Sequence, residues 1–213
     1  MDTDSISSVA QDYVKAIWAA TEWGDPPITA KGLAERFGTT PANVTDTMRR
    51  LATQGLVDYE PYRPVSLTPR GTSFALDMVR RHRLIETFLV TSLGYGWSEV
   101  HDEAERLEHA VSTTLIDRID DFLGRPVADP HGDPIPSREG ATAVPGGALR
   151  LAVAPPGDYR VVRVSDADPQ ELVRAEEFGL VPGAVVRAGA DAGAGVGDVW
   201  VVPVAPAAAG PAA

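Results

Sequence analysis

Residues 29–57 read TAKGLAERFGTTPANVTDTMRRLATQGLV. Thr29 is placed to cap a short helix that Gly38 stops. Thr39, Thr40 and Pro41 then open a second helix, with threonine as cap and proline in the first turn. Val44, Thr47, Met48 and Leu51 share one face of it, up to Gln54 and Gly55. Two short helices joined by a tight turn make a helix-turn-helix. Beyond Gly55 the period changes: residues 56–60 and 65–67 alternate like strands around Pro61-Tyr62-Arg63-Pro64, a β-hairpin wing.

Upstream, Val9, Tyr13, Val14, Ile17 and Ala20 recur at helical spacing, so residues 7–23 form a first helix. Downstream, helix resumes at Thr68-Pro69 and runs to Leu93, where Gly94-Tyr95-Gly96 ends it. A further helix is expected from Ser98, covering Val100 to about Ser112, and another over 114–123. Residues 126–147 are too rich in proline and glycine for a regular element and read as a linker. The rest alternates short β-rich runs with one helix at 169–178, which suggests a small closed β-barrel. The fold class is mainly α with small β parts. Its expected divisions are a winged helix-turn-helix (1–75), a helical module (76–125), the linker (126–147), the barrel (148–204) and a disordered tail (205–213).

The chain has 213 residues, no cysteine and a formal charge of -11. Absence of sulfur nucleophiles removes disulfides, thiolate zinc sites and iron–sulfur ligation. No apolar run is long enough to span a membrane, and the acidic start is unlike a signal peptide, so a soluble cytoplasmic protein is expected. The net charge hides an asymmetry: residues 28–83 carry +4, whereas 84–140 carry -8. A basic, anion-binding module is thus joined to one suited to cations. Arg49, Arg50, Arg63 and Arg70 around the wing suit phosphates. Pro41, Ala42, Asn43, Thr45 and Asp46, at the start of the second helix, would face base edges in double-stranded DNA.

Three of the four histidines stand at helical spacing from carboxylates. His82 and Glu86 are four apart on one helix. His101, Glu105, Glu108 and His109 fall within an arc of roughly 100° on the next. A solvated, salt-bridged face is the plainer reading of such a pattern. Imidazole and carboxylate without sulfur otherwise suit Mn(II), Fe(II), Co(II) or Zn(II), and ligand type alone does not choose among them.

The chain resembles the diphtheria toxin repressor family of metal-dependent transcription regulators. The resemblance rests on DYVKAIW (12–18), LAERF (33–37), PANVTDTMRRLATQGLV (41–57), LTPRG (67–71), RRHRLIETFL (80–89), VHDEAERLEH (100–109) and HGDPIP (131–136). More weakly, PGDYRV (156–161) and GLVPG (179–183) are similar to the FeoA-like barrel of longer members. The resemblance implies a homodimeric repressor, not an enzyme, that binds an inverted-repeat operator with two metal sites per subunit. The primary site would take Asp12, Glu105, Glu108 and His109. The ancillary site would take His82, Glu86 and His101, completed by Asp168 and Glu171 from the barrel. Thr29, Thr39 and Thr40 join the DNA-facing set. Iron-sensing members carry methionine and cysteine where Asp12 and Glu105 stand here. Hard oxygens in their place favour Mn(II), with an Fe(II)-responsive repressor as the alternative. Lys15 stands where compact manganese-sensing members place a second carboxylate, which favours two separated sites. A carboxylate-bridged di-metal oxidase would need a Glu-x-x-His pair on each of two helices, and the sequence has none.

Overall fold

The computed structural model describes residues 6–61, 63–189 and 198–204. Among the described residues, seven α-helices and six β-strands fall in the order α1 (Ser8–Glu22), α2 (Ala30–Arg36), α3 (Pro41–Thr53), β1 (Val57–Asp58), β2 (Ser66–Leu67), α4 (Pro69–Leu93), α5 (Val100–Leu107), α6 (Thr113–Phe122), β3 (Leu149–Arg150), β4 (Gly157–Val164), α7 (Pro169–Glu177), β5 (Val185–Ala188) and β6 (Val199–Pro203). The threonine caps read at Thr29 and Thr40 are formed, and Thr68 caps α4 in the same way. Thr29 Oγ1 accepts from Gly32 N, Thr40 Oγ1 from Asn43 N and Thr68 Oγ1 from Gly71 N. Each satisfies a backbone donor that the helix itself leaves without a partner.

The N-terminal core gathers Tyr13, Val14 and Ile17 of α1, Leu33 of α2, Val44, Met48 and Leu51 of α3, Leu56, and Phe74 and Met78 of α4. Strands β1 and β2 pair antiparallel as Val57↔Leu67 and Asp58↔Ser66, closing the wing. Gly71 is required here because a Cβ would stand 1.9 Å from the Leu56 carbonyl oxygen. The base of the wing therefore lies directly on the start of α4, which carries the winged module into the helical one. There, Leu84, Ile85 and Leu89 of α4 pack with Val100 and Ala104 of α5 and Ile116 and Ile119 of α6.

Three expectations need correction. α5 ends at Leu107 instead of continuing to Ser112, so Glu108 and His109 lie in the turn that follows it. The C-terminal strands form an open antiparallel sheet in the order β3-β6-β4-β5 and not a closed barrel. The run after Arg150 turns into a 3-10 segment, Leu151–Val153, which leaves β3 too short to close the sheet. Residues 126–147 are irregular as expected, but their first half is packed: Asp129, His131, Asp133 and Ile135 are buried. Asp129 Oδ1 accepts from His131 N and Asp133 N, folding the chain into a tight side-chain-stabilised turn. Gly132, at φ +93°, lets this turn meet β4 where its register shifts; a Cβ would lie 2.0 Å from the Val162 oxygen. The tail at 205–213 lies outside the described residues.

Candidate metal centre and nucleic-acid face

Two groups of side chains meet where α1, α4 and α5 converge, and a third adjoins them. In the first, Asp12 comes from α1, Glu105 from α5, and Glu108 and His109 from the turn after it. His109 Nε2 lies 3.0 Å from Asp12 Oδ1 and 3.7 Å from Glu108 Oε1. His109 Nδ1 lies 2.8 Å from Gln11 Oε1, while the Gln11 amide nitrogen donates to the Ile6 carbonyl. Gln11 Oε1 therefore accepts from His109 Nδ1, which orients the ring with Nε2 toward the carboxylates. Burial pushes the Asp12 carboxyl above its ordinary pKa, against the pull of His109.

The second group joins His82 and Glu86 of α4, His101 of α5 and Asp166 just beyond β4. Glu86 Oε1 is 2.9 Å from His82 Nε2 and 3.3 Å from His101 Nδ1, and His101 Nδ1 is 3.0 Å from Asp166 Oδ2. Burial disfavours charge on these rings, but the facing carboxylates outweigh it. The pKa of His82 is raised to about 9 and that of His101 to about 10. His82 spans the two groups, since its Nδ1 lies 2.5 Å from Glu108 Oε2.

Glu86 takes part again in the third group, with Asp129 and His131. His131 Nε2 donates to the Trp97 carbonyl at 2.6 Å, so its Nδ1 faces Glu86 Oε2 at 3.7 Å. Neither of those atoms has a hydrogen-bond partner, and neither does the buried Asp12 Oδ1. Buried polar atoms left without partners cost stability unless something else satisfies them. Three such atoms, each inside a cluster of imidazole and carboxylate, fit a divalent cation bound by oxygen and nitrogen.

Seven of the nine sequence-assigned metal residues thus meet in these clusters, and two do not. Asp168 caps α7, accepting from Gln170 N, and Glu171 pairs with Arg174 at 2.6 Å. Asp166, two residues before Asp168, lies with His82, Glu86 and His101 instead. Sequence reasoning passed over Asp166, Asp129 and His131 as possible ligands. The available signal was the Asp-x-His-x-Asp spacing of residues 129–133, hidden inside a segment read as linker.

In the winged module, Pro41, Ala42, Asn43 and Asp46 are exposed along the start of α3, and Thr45 is half-buried. Asn43 Nδ2 donates to Thr39 Oγ1, and Tyr59 of the wing reaches Thr45 Oγ1. Arg49, Arg50 and Arg63 are exposed; Arg49 lies 3.4 Å from Asp46 and Arg63 3.1 Å from Glu60, weak surface pairs that phosphates can displace. Arg70 instead donates to the Gln54 carbonyl and braces the wing.

A helix-turn-helix with a wing, joined through α1 and α4 to clusters of hard cation ligands, defines a metal-dependent transcription regulator. Comparison with known proteins gives the family. Residues 5–65 match the iron dependent repressor N-terminal DNA binding domain, and residues 68–137 match the iron dependent repressor metal binding and dimerisation domain. The chain is 33% identical over 196 residues to the iron-dependent repressor IdeR of Mycobacterium tuberculosis, covering 86% of this chain and 85% of that protein. It is 30% identical over 186 residues to the diphtheria toxin repressor of Corynebacterium diphtheriae, covering 84% and 80%. Among solved structures, a manganese-dependent transcriptional repressor in complex with manganese superposes with a TM-score of 0.81 at 44% identity, covering 92% of this chain and 100% of the other. ScaR with bound Zn2+ gives 0.78 at 32% identity, covering 92% and 99%. The chain belongs to the iron-dependent repressor family, that of the diphtheria toxin repressor. It is a metal-dependent transcriptional repressor, not an enzyme, with close structural relatives among manganese-dependent repressors.

Proposed function

We propose that this chain is a cytoplasmic, homodimeric repressor that responds to Mn(II), binds an inverted-repeat operator and controls manganese homeostasis genes. The observation that carries the metal assignment is the donor set. Asp12 and Glu105 give the first cluster hard oxygens only, beside one imidazole, and the second is likewise free of sulfur. The solved relative named as manganese-dependent supports the same reading. The relatives named as iron-dependent favour Fe(II) as the second reading.

In this reading Asp12, Glu105, Glu108 and His109 hold one ion. A second ion is held by Glu86 with His82, His101 and Asp166, or by Glu86 with Asp129 and His131. A bound cation would supply charge that these carboxylates can share. The chain contributes the linkage: Asp12 rides on α1, whereas Glu105, Glu108 and His109 belong to α5 and its turn. Drawing them together fixes the winged module on the helical one, and a rigidified protein loses less entropy on binding DNA. Metal and operator then each raise affinity for the other.

The dimer is proposed through α4 and α6. Leu93, Leu115 and Phe122 are exposed there, and Phe122 lies edge-on to Phe88 at 5.9 Å. Two recognition helices on a two-fold axis would meet successive major grooves. The test is selection of bound DNA from random duplexes by the full chain in chelator, then anaerobically with Mn(II), Fe(II), Co(II) or Zn(II). Enrichment of a palindrome with Mn(II) at the lowest free-metal concentration supports the reading. Enrichment in chelator rejects metal dependence, and a stronger response to Fe(II) favours the alternative.

A further inference from the structure

Lys15 lies one helical turn beyond Asp12 on α1, and its side chain enters the first cluster. Its Nζ is 2.5 Å from Glu105 Oε1 and 2.7 Å from Glu108 Oε1, and it stands 3.5 Å from His82 Nδ1. The side chain is 12% exposed and that of Glu108 not at all, whereas that of Glu105 is 35% exposed, so the Glu108 pair is withdrawn from water, where charges act on each other more strongly than at the surface. Glu108 Oε1, the oxygen taken by Lys15, is also the Glu108 oxygen that faces His109 Nε2. Its other oxygen is occupied by His82. An ion seated among Asp12, Glu108 and His109 must therefore share Glu108 with an ammonium or displace it.

Charge makes the same point. The ammonium offsets one of the cluster's three carboxylates, which leaves less negative charge for a divalent cation. Position adds a second consequence, because Lys15 connects α1 to α5 just as an ion on Asp12 would.

We infer that Lys15 is the resident cation of the first cluster: it ties α1 to α5 while no metal is bound, and it competes with metal for Glu105 and Glu108. This rests on the reading of that cluster as a metal site. The metal-free protein keeps its carboxylates gathered and its winged module partly docked. The metal affinity is correspondingly weaker than the bare ligands would give, which raises the free-metal level at which the repressor responds.

The experiment compares the full-length wild type with Lys15→Gln, Lys15→Arg and His109→Ala. Mn(II) binding is followed through the paramagnetic resonance signal of the free ion, and backbone hydrogen exchange is measured in chelator. Lys15→Gln is expected to bind its first-cluster Mn(II) at least tenfold more tightly, and Lys15→Arg within about threefold of wild type. In chelator, α1 should exchange faster in Lys15→Gln than in wild type or Lys15→Arg. Unchanged or weaker Mn(II) binding by Lys15→Gln overturns the competition, and equal tightening in the Gln and Arg variants does so too, because it assigns the effect to packing. Unchanged α1 exchange overturns the tie. His109→Ala separates this from the site itself: loss of one Mn(II) upholds the site, and retention of all bound Mn(II) overturns both.

Discussion

Glu86 Oε2 and His131 Nδ1 face each other at 3.7 Å, both buried and both without a hydrogen bond. The pair joins the middle of α4 to the turn at 129–133, and the His131 carbonyl in turn accepts from Val164 N of β4. An ion held there would tie the helical module to the C-terminal sheet. His131→Ala or Glu86→Ala is therefore expected to lower Mn(II) stoichiometry by one per chain, counted by equilibrium dialysis. The contrasting variant is Asp168→Ala, which removes a helix cap. It should cost about 1 kcal/mol of stability and leave stoichiometry unchanged. A lost ion in Asp168→Ala would restore that residue as a ligand.

The contrast between Asp166 and Asp168 shows where the sequence was legible. Helix periodicity and capping residues located the winged module and the histidine–carboxylate faces of α4 and α5, because those signals are local and repeat every three to four residues, whereas Asp12 of α1 entered only through the family resemblance. Asp166 follows a strand whose register shifts between Val161 and Arg163, and no periodic pattern carries through such an irregularity. Open against closed sheet was equally hidden, since it depends on whether edge strands are long enough to pair. The burial of residues 129–135 depends on Asp129, whose carboxylate folds a Pro/Gly-rich run into a turn; composition alone suggests a loose connection.

The C-terminal sheet also meets the DNA-binding module directly. Arg163 of β4 lies over the rings of Trp23 and Trp200, 5.0 and 4.4 Å from their centroids, with its Nε 2.8 Å from Asp133. Trp23 Nε1 donates to the same Asp133, and Arg83 pairs with both Asp133 and Glu22 of α1. Cation–π contacts largely out of water contribute about 0.5 to 2 kcal/mol each. Arg163→Ala is expected to lower stability by about 2 kcal/mol and to redshift tryptophan emission as the rings separate. Thermal melts with fluorescence detection check both, and unchanged emission would deny the stacking.

Proton competition sets the pH response. In the metal-free protein, pKa values are raised to about 9 for His82 and to about 10 for His101 and His131, from an ordinary 6.5. Burial opposes charge on each ring, but Glu86 acts on all three, joined by Glu108 at His82, Asp166 at His101 and Asp129 at His131. Groups with raised folded-state values stabilise fully below pH 6.5, and that contribution is lost as pH rises through 9 to 10. Metal-free stability should therefore fall over that window. Mn(II) affinity should rise over it, because an ion needs the neutral imidazole. Calorimetric titration in buffers of different ionisation enthalpy should register proton release at pH 7, and zero release would contradict the protonated clusters.

On the DNA face, two kinds of variant should separate. Arg49→Glu and Arg50→Glu remove exposed cations near α3 that would contact phosphates. They should weaken binding on every sequence and reduce the salt dependence by about one charge or more each. Asn43, exposed and held by Thr39 Oγ1, is poised to present its amide to a base edge. Asn43→Ala should then relax preference at one or two operator positions by about 1 to 3 kcal/mol while leaving the salt slope alone. Fluorescence anisotropy on the selected palindrome and its single-base variants, at two or more salt concentrations, measures both quantities. If Asn43→Ala changes the salt slope and not the base preference, α3 lies along the backbone and another element reads the groove.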